Sequence, residues 1–289
     1  VKKVGHCGTL DPFASGVLPV CVGKATRVVR YMDGYDKSYR CTVRFGAFTD
    51  TQDREGKVIG GRMPSEDELQ ALRTNDYYDL RALFAALPGD KEQLPPMYSA
   101  IKMDGHPLYE YARKGITLER QARMIHIYAC TVHSISAEEF LTADFSVTCS
   151  KGTYIRTICD ELGVQTGYGA YADALCRTRC GPFSLDTAFS LEDVEGLLKA
   201  GRQDEFLLPE DLAVADMPLI EISEEETGRI RMGQQMDLGQ FEKRISDAAG
   251  KDTCEGTHLR AYCSGRLIAI VLPDEKEGRK ILRIERMLA

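Results

Sequence analysis

The chain has 289 residues, 43% hydrophobic and 28% charged, with 37 Lys+Arg against 44 Asp+Glu and a formal net charge of −7. That length accommodates one large domain with a smaller appendage and buries enough surface to fold without disulfides or metal, and the plentiful apolar residues exclude disorder. A membrane span is excluded too, because apolar stretches such as 267–272 fall far short of the roughly 18–20 residues needed; the acidic total, taken alone, argues against nucleic acid as a partner.

In chain order, residues 38–46 alternate strictly, with Tyr39, Cys41, Val43 and Phe45 on one face and Arg40, Thr42 and Arg44 on the other, which predicts an amphipathic strand. The polar segment 50–56, ending in Gly56, reads as a turn. Ser65 with Glu68 three residues on is a capping box that opens a helix through Leu69 and Leu72. A second short helix is expected over 79–87, stopped by Pro88-Gly89. Pro95-Pro96 starts an extended, partly basic segment to about Arg123. Residues 125–135 and 140–149 read as paired strands, and Lys151-Gly152-Thr153 turns into a helix over about 154–162. Ser190 with Asp193 caps another helix. After Pro209 come an acidic linker and short strands at 219–222, 257–262, 267–272 and 281–286, pointing to a small β-rich domain from about residue 213.

The distribution of charge matters more than its total. Residues 1–45 carry eight basic side chains against three acidic, whereas 190–229 carry twelve acidic against three basic. Nucleic-acid binding needs only a local basic face, so the objection raised by the total charge weakens. The ten cysteines contain no C-x-x-C pair, and Cys176 and Cys180 lack a nearby His to complete a zinc set. Most lie in apolar or strand-like runs, the pattern of reduced, buried thiols in a cytosolic protein.

The most unusual stretch is Gly5-His6-Cys7-Gly8-Thr9-Leu10-Asp11-Pro12-Phe13-Ala14-Ser15-Gly16-Val17-Leu18-Pro19-Val20. Pro12 steers Asp11 away from helical geometry, and the glycines allow the backbone to approach a ligand closely. An Asp held this way can act as a nucleophile or general base, or it can simply cap a turn. On the residues alone both readings stand.

This stretch resembles the signature of the TruB family of pseudouridine synthases, which isomerise a uridine at position 55 in the TΨC loop of tRNA. Further segments match in the same order: Lys37-Ser38-Tyr39, Thr49-Asp50-Thr51-Gln52-Asp53 with Gly56, Pro95-Pro96-Met97-Tyr98-Ser99-Ala100-Ile101-Lys102, Cys149-Ser150-Lys151-Gly152-Thr153-Tyr154-Ile155-Arg156-Thr157, and Leu175-Cys176-Arg177-Thr178-Arg179-Cys180-Gly181-Pro182-Phe183. The resemblance covers residues 2–183. It implies an α+β fold, with a mixed, mostly antiparallel central sheet flanked by helices, and a small β-rich PUA-like domain at the C-terminus. The expected division is a catalytic domain over 1–212, with an RNA-contacting thumb at about 96–123, and a PUA-like RNA-binding domain over 213–289.

By resemblance, Asp11 is the catalytic aspartate, Arg156 the arginine that pairs with it, and Tyr39 the tyrosine that stacks on the target base. His6 matches the residue that fills the gap left by the flipped nucleotide, Tyr154 and Leu175 line the uracil pocket, and Lys102 belongs to the thumb. Whether the carboxylate attacks C1′, adds to C6 or assists a glycal intermediate stays open. No cofactor or metal is implied. The expected partner is tRNA, without membrane or guide RNA, for a monomeric cytoplasmic enzyme. The alternative is a tRNA-folding chaperone whose role needs no catalysis. Two departures stand out: Cys7 replaces the family's usual Thr, and the family has a further stretch of a few dozen residues before Lys2, so the chain is expected to lack its beginning.

Overall fold

The computed structural model describes residues 2–249 and 256–288. It divides into two compact units. One is made of Gly8–Pro19 and Gly34–Ala188, and the other of the chain up to Cys7, Val20–Asp33 and everything from Phe189 on.

The first unit is organised on a seven-stranded sheet: β1 (Ser15–Gly16), β2 (Lys37–Phe45), β3 (Gly89–Gln93), β4 (Arg123–Ala137), β5 (Leu141–Cys149), β6 (Ala170–Cys180) and β7 (Phe183–Ser184). The order is β7-β6-β2-β5-β4-β3, antiparallel throughout, with the two-residue β1 paired parallel to β6. The alternation read in 38–46 is realised in β2, where Cys41, Val43 and Phe45 are buried. Helices α1 (Glu66–Thr74), α2 (Tyr78–Ala85) and α3 (Ile155–Thr166) complete the unit, and Ser65 and Glu68 form the expected capping box of α1. Phe84 of α2 meets Phe145 of β5 with ring centroids 5.0 Å apart. Removing such a ring from the core costs roughly 3–5 kcal/mol. In α3, Ile158 and Leu162 face the same core, and Gly163 has no room for a side chain: a Cβ there would stand 2.1 Å from the backbone nitrogen of Ala170. That close approach presses α3 onto the start of β6 and fixes the helix that carries Arg156.

Two parts of this unit differ from the sequence reading. The segment 95–123 is not simply extended; it holds a small hairpin, Lys102–Met103 with His106–Pro107, and a helical turn, Leu108–Ala112. The eleven-residue β6 is also additional. Its alternation is broken by irregularities between Ala172 and Ala174 and between Arg177 and Arg179, and its inward positions include a buried arginine, so no apolar period of two survives.

The second unit has a five-stranded sheet in the order Leu219–Glu221, Leu259–Cys263, Arg266–Lys276, Arg279–Met287 and Met236–Asp237. The first pair is parallel and the rest antiparallel, around a core that includes Ile220, Phe241, Leu259, Val271 and Leu282. The expected β-rich C-terminal region is present, together with two helices, Glu224–Arg231 and Glu242–Ala249. A hairpin of Val4–His6 with Val20–Val22 and the short helix Val29–Met32 also belong to this unit. Arg27 donates to the Met287 carbonyl at 3.0 Å and Arg30 pairs with Glu285 at 3.2 Å. Ser190 and Asp193 form their expected capping box. Among the described residues nine cysteines form no disulfide, seven of them buried; Cys254 lies outside the described residues. Among the described residues no helix is long and apolar enough to cross a membrane.

Candidate active site

The loop Gly8–Pro19 carries Asp11. Pro12 follows it, and the Ala14 N–H donates to the Asp11 carbonyl at 2.9 Å, closing a turn that leaves the carboxylate projecting. The loop is then tied to β6. Ser15 and Gly16 pair with Cys176 and Arg177, and the Val17 N–H donates to the Arg177 carbonyl at 2.8 Å. Gly16 has φ +109°, and a Cβ there would fall 2.2 Å from the Arg177 carbonyl oxygen, so only glycine allows the two backbones to come so close.

Opposite the loop, Arg156 rises from the first turn of α3, its side chain only 2% exposed. Its Nε donates to Asp11 Oδ2 at 2.8 Å and its Nη2 to Asp11 Oδ1 at 2.9 Å, a bidentate pair that fixes the plane as well as the position of the carboxylate. The remaining donors reach the Thr51 carbonyl (Nη1, 2.6 Å) and the Tyr98 carbonyl (Nη2, 2.8 Å). A second carboxylate, Asp53, stands 3.6 Å from Nη1. Asp53 is buried and held by the Thr51 hydroxyl at 2.6 Å and the Glu55 N–H at 3.0 Å. One guanidinium therefore lies between two carboxylates, and the Asp11 side chain retains 31% of its exposure.

Tyr39 lies on β2, opposite Val147 of β5 and Arg177 of β6. Burial, reinforced by the neighbouring Cys149 and opposed by the Arg177 guanidinium, pushes its phenol up to about 12. At neutral pH it is a neutral phenol, able to stack and to exchange hydrogen bonds but not to act as a phenolate base. Leu175, buried on β6, sits opposite Cys41 in the same sheet.

Tyr154 is the N-cap of α3. Gln93, itself buried, accepts from the Tyr154 N–H at 2.7 Å and donates to its carbonyl at 3.0 Å. Burial raises the Tyr154 phenol, Ser99 opposes the shift, and the charge of Asp11 adds to it.

The structure therefore joins Asp11 and Arg156 directly, puts Tyr154 at the N-cap of the helix that carries Arg156, and sets Tyr39 and Leu175 on adjacent strands of the same sheet. Lys102 lies apart from this group, exposed on the small hairpin and lining a cleft of about 410 Å³ with Pro95, Arg120 and Arg123. His6 is on the strand Val4–His6, which belongs to the other unit. Two residues with structural claims on the site carry no role in the sequence reading: Asp53 and Gln93. Asp53 lies in a quoted motif, but its relation to Arg156 spans about a hundred residues and has no local signature.

Comparison with known proteins adds an independent line. Residues 1–155 match the family model described as TruB family pseudouridylate synthase (N terminal domain), and residues 156–215 match the tRNA pseudouridylate synthase B C-terminal domain. The tRNA pseudouridine synthase B of Geobacillus kaustophilus is 40% identical over 249 residues, covering 85% of this chain and 85% of that protein. That of Burkholderia pseudomallei is 39% identical over 276 residues, covering 95% and 85%. Among solved structures, a Cbf5-Nop10-Gar1 complex contains a chain that superposes with a TM-score of 0.69 at 24% identity, covering all of this chain and 77% of the other. At that identity the likeness concerns the fold.

Proposed function

The chain belongs to the TruB family of pseudouridylate synthases, and from that premise we propose that it converts uridine to pseudouridine at position 55 in the TΨC loop of tRNA. The observation that carries the reading is the bidentate Asp11–Arg156 pair, backed by Asp53, at the projecting tip of a loop pinned to the central sheet.

The reaction breaks the C1′–N1 bond, turns the uracil and joins C5 to C1′. The C5 proton is lost and N1 gains one, so atoms balance without any co-reactant. A base stacked in the T-loop is out of reach, and the enzyme must extrude it first. As C1′–N1 breaks, positive character develops on the sugar. An oriented carboxylate in a partly buried setting stabilises that charge and can bond covalently to the substrate. Arg156 aims Asp11 through the side-on pair of hydrogen bonds. Tyr39, as a neutral phenol, stacks on the uracil and relays a proton at C5, while Tyr154 and Leu175 form the walls of the base pocket. His6 occupies the place of the extruded nucleotide.

Lys102 and the basic residues of the thumb (about 96–123), with the C-terminal region 213–289 as a PUA-like domain, hold the tRNA backbone. That contact weakens as salt rises. The enzyme acts as a cytoplasmic monomer without guide RNA. The test is incubation with an unmodified tRNA transcript and chemical mapping of pseudouridine. A single product at position 55, abolished by Asp11→Asn, is expected. No product there, or full activity in Asp11→Asn, refutes the proposal.

A further inference from the structure

Among the described residues Arg177 is the largest fully buried side chain, 1% exposed, at an inward position of β6. Arginine is rarely buried to this degree unless paired, and among the described residues no carboxylate lies within ion-pair distance of it. A leucine or methionine would fill the space without the cost of desolvating a charge. What the guanidinium does that an apolar side chain cannot is donate hydrogen bonds in several fixed directions.

Those directions converge on the loop of Asp11. Nε donates to the Val17 carbonyl at 2.7 Å and Nη2 to the Gly8 carbonyl at 2.7 Å. Gly8 is three residues before Asp11 and Val17 six after it, so one side chain bridges the two ends of the catalytic loop. The backbone of the same residue adds a third tie, accepting from the Val17 N–H at 2.8 Å. On its other side Arg177 is the cross-strand neighbour of Tyr39, and its guanidinium opposes the upward push that burial gives the phenol.

We propose that Arg177 is a positioning residue of the reaction: it holds the two ends of the Asp11 loop in register with the sheet position that carries Tyr39. The inference rests on the proposed isomerase activity. It goes beyond it by assigning the mutual placement of the two reacting groups to a side chain that touches neither the substrate nor Asp11.

The test compares wild type with Arg177→Gln and Arg177→Lys, and with Tyr39→Phe alone and combined with each. Turnover on unmodified tRNA is normalised to the folded fraction from circular dichroism. A displacement of about 1 Å at a reacting group costs on the order of 100-fold in rate, so Arg177→Gln is expected to lower kcat about 100-fold. KM for tRNA should stay within about threefold, since no tRNA-contacting group is altered. Arg177→Lys, which keeps the charge but offers one donor centre, should recover part of the loss. With Tyr39→Phe the losses should be less than multiplicative, because one effect acts through the other.

Hydrogen exchange over residues 8–19 supplies a readout independent of activity: protection there should fall selectively in Arg177→Gln. If Arg177→Gln does not fold, Arg177→Lys and its combination with Tyr39→Phe carry the test. The proposal is overturned by a folded Arg177 variant with wild-type kcat and loop protection, or by strictly multiplicative losses with Tyr39→Phe. A wild-type protein that forms no pseudouridine refutes the function instead, and the two failures are distinct.

Discussion

Replacing Arg156 by lysine keeps the charge beside Asp11 and removes the geometry, which makes it the sharpest perturbation of the site. In the native protein three nitrogens serve four acceptors: the two oxygens of Asp11 and the carbonyls of Thr51 and Tyr98. An ammonium is a single donor centre and cannot reach a carboxylate and both carbonyls from one point. If it follows Asp11, two half-buried carbonyls lose their donor, at about 1–2 kcal/mol each, the lower part of the range for a group left unsatisfied. If it follows the carbonyls, Asp11 loses its partner. The expected destabilisation is therefore roughly 2–4 kcal/mol, and at about 2–4 °C per kcal/mol it lowers Tm by roughly 5–15 °C. Loss of the side-on grip lets the carboxylate rotate, and a fall in kcat of about 100-fold follows, with little change in KM for tRNA. Stopped single-turnover reactions with pseudouridine mapping, beside thermal denaturation, measure both. A lysine variant that keeps kcat within threefold of wild type would show that the charge of Arg156 matters and its bidentate geometry does not.

Further outcomes follow from neighbouring residues. Asp53→Asn removes the second carboxylate beside Arg156 while preserving the shape that receives Thr51 and Glu55; kcat should fall about 10-fold with Tm nearly unchanged, and an effect on KM alone would contradict the positioning role. Gly16→Ala places a Cβ against the Arg177 carbonyl and should displace the Asp11 loop, losing at least about 1–3 kcal/mol of stability; a Tm equal to wild type would show the loop to be free of that constraint. The raised phenol of Tyr39 makes stability pH-dependent. Between the ordinary value of 10 and about 12 the native state holds a proton that the unfolded chain has lost, so the contribution is complete below pH 10 and disappears as pH climbs toward 12. Denaturant titrations across that window should show a loss that is smaller in Tyr39→Phe by roughly 2–3 kcal/mol, and an unchanged slope in the variant would count against it.

What the sequence revealed most directly was local in origin. The capping boxes at Ser65 and Ser190 depend on residues three apart and formed as read. The alternation of β2 depends on one strand burying one face, and it too was visible. The pairing of Asp11 with Arg156 became legible only through the collinear motifs, since nothing in their spacing of 145 residues announces it. Where a position serves the tertiary structure against its own residue type, the pattern failed. Arg177 is buried although arginine is mostly a surface residue, and β6 keeps no simple alternation because two bulges carry it past Tyr39 and the loop. Asp53 and Gln93 act on residues about 60 to 105 positions away, through atoms whose meeting is decided by the sheet order.

The interleaving of the two units bears on how the protein can be taken apart. The unit that contains the C-terminal strands also owns Val20–Asp33 and the chain up to Cys7, the segments that run directly into both ends of Gly8–Pro19. Excising it cleanly would need cuts at four places, not one. Truncation after Ala188 leaves Arg27 without the Met287 carbonyl, Arg30 without Glu285, and the helix Val29–Met32 without the Glu210–Val214 turn against which it packs. The two segments that run into the ends of the Asp11 loop would then be stripped of their support, although the loop keeps its ties to β6. Loss of activity on deleting the C-terminal region would therefore report the state of the catalytic loop as much as any lost grip on RNA, and a point-substituted, full-length chain is the cleaner instrument for separating the two.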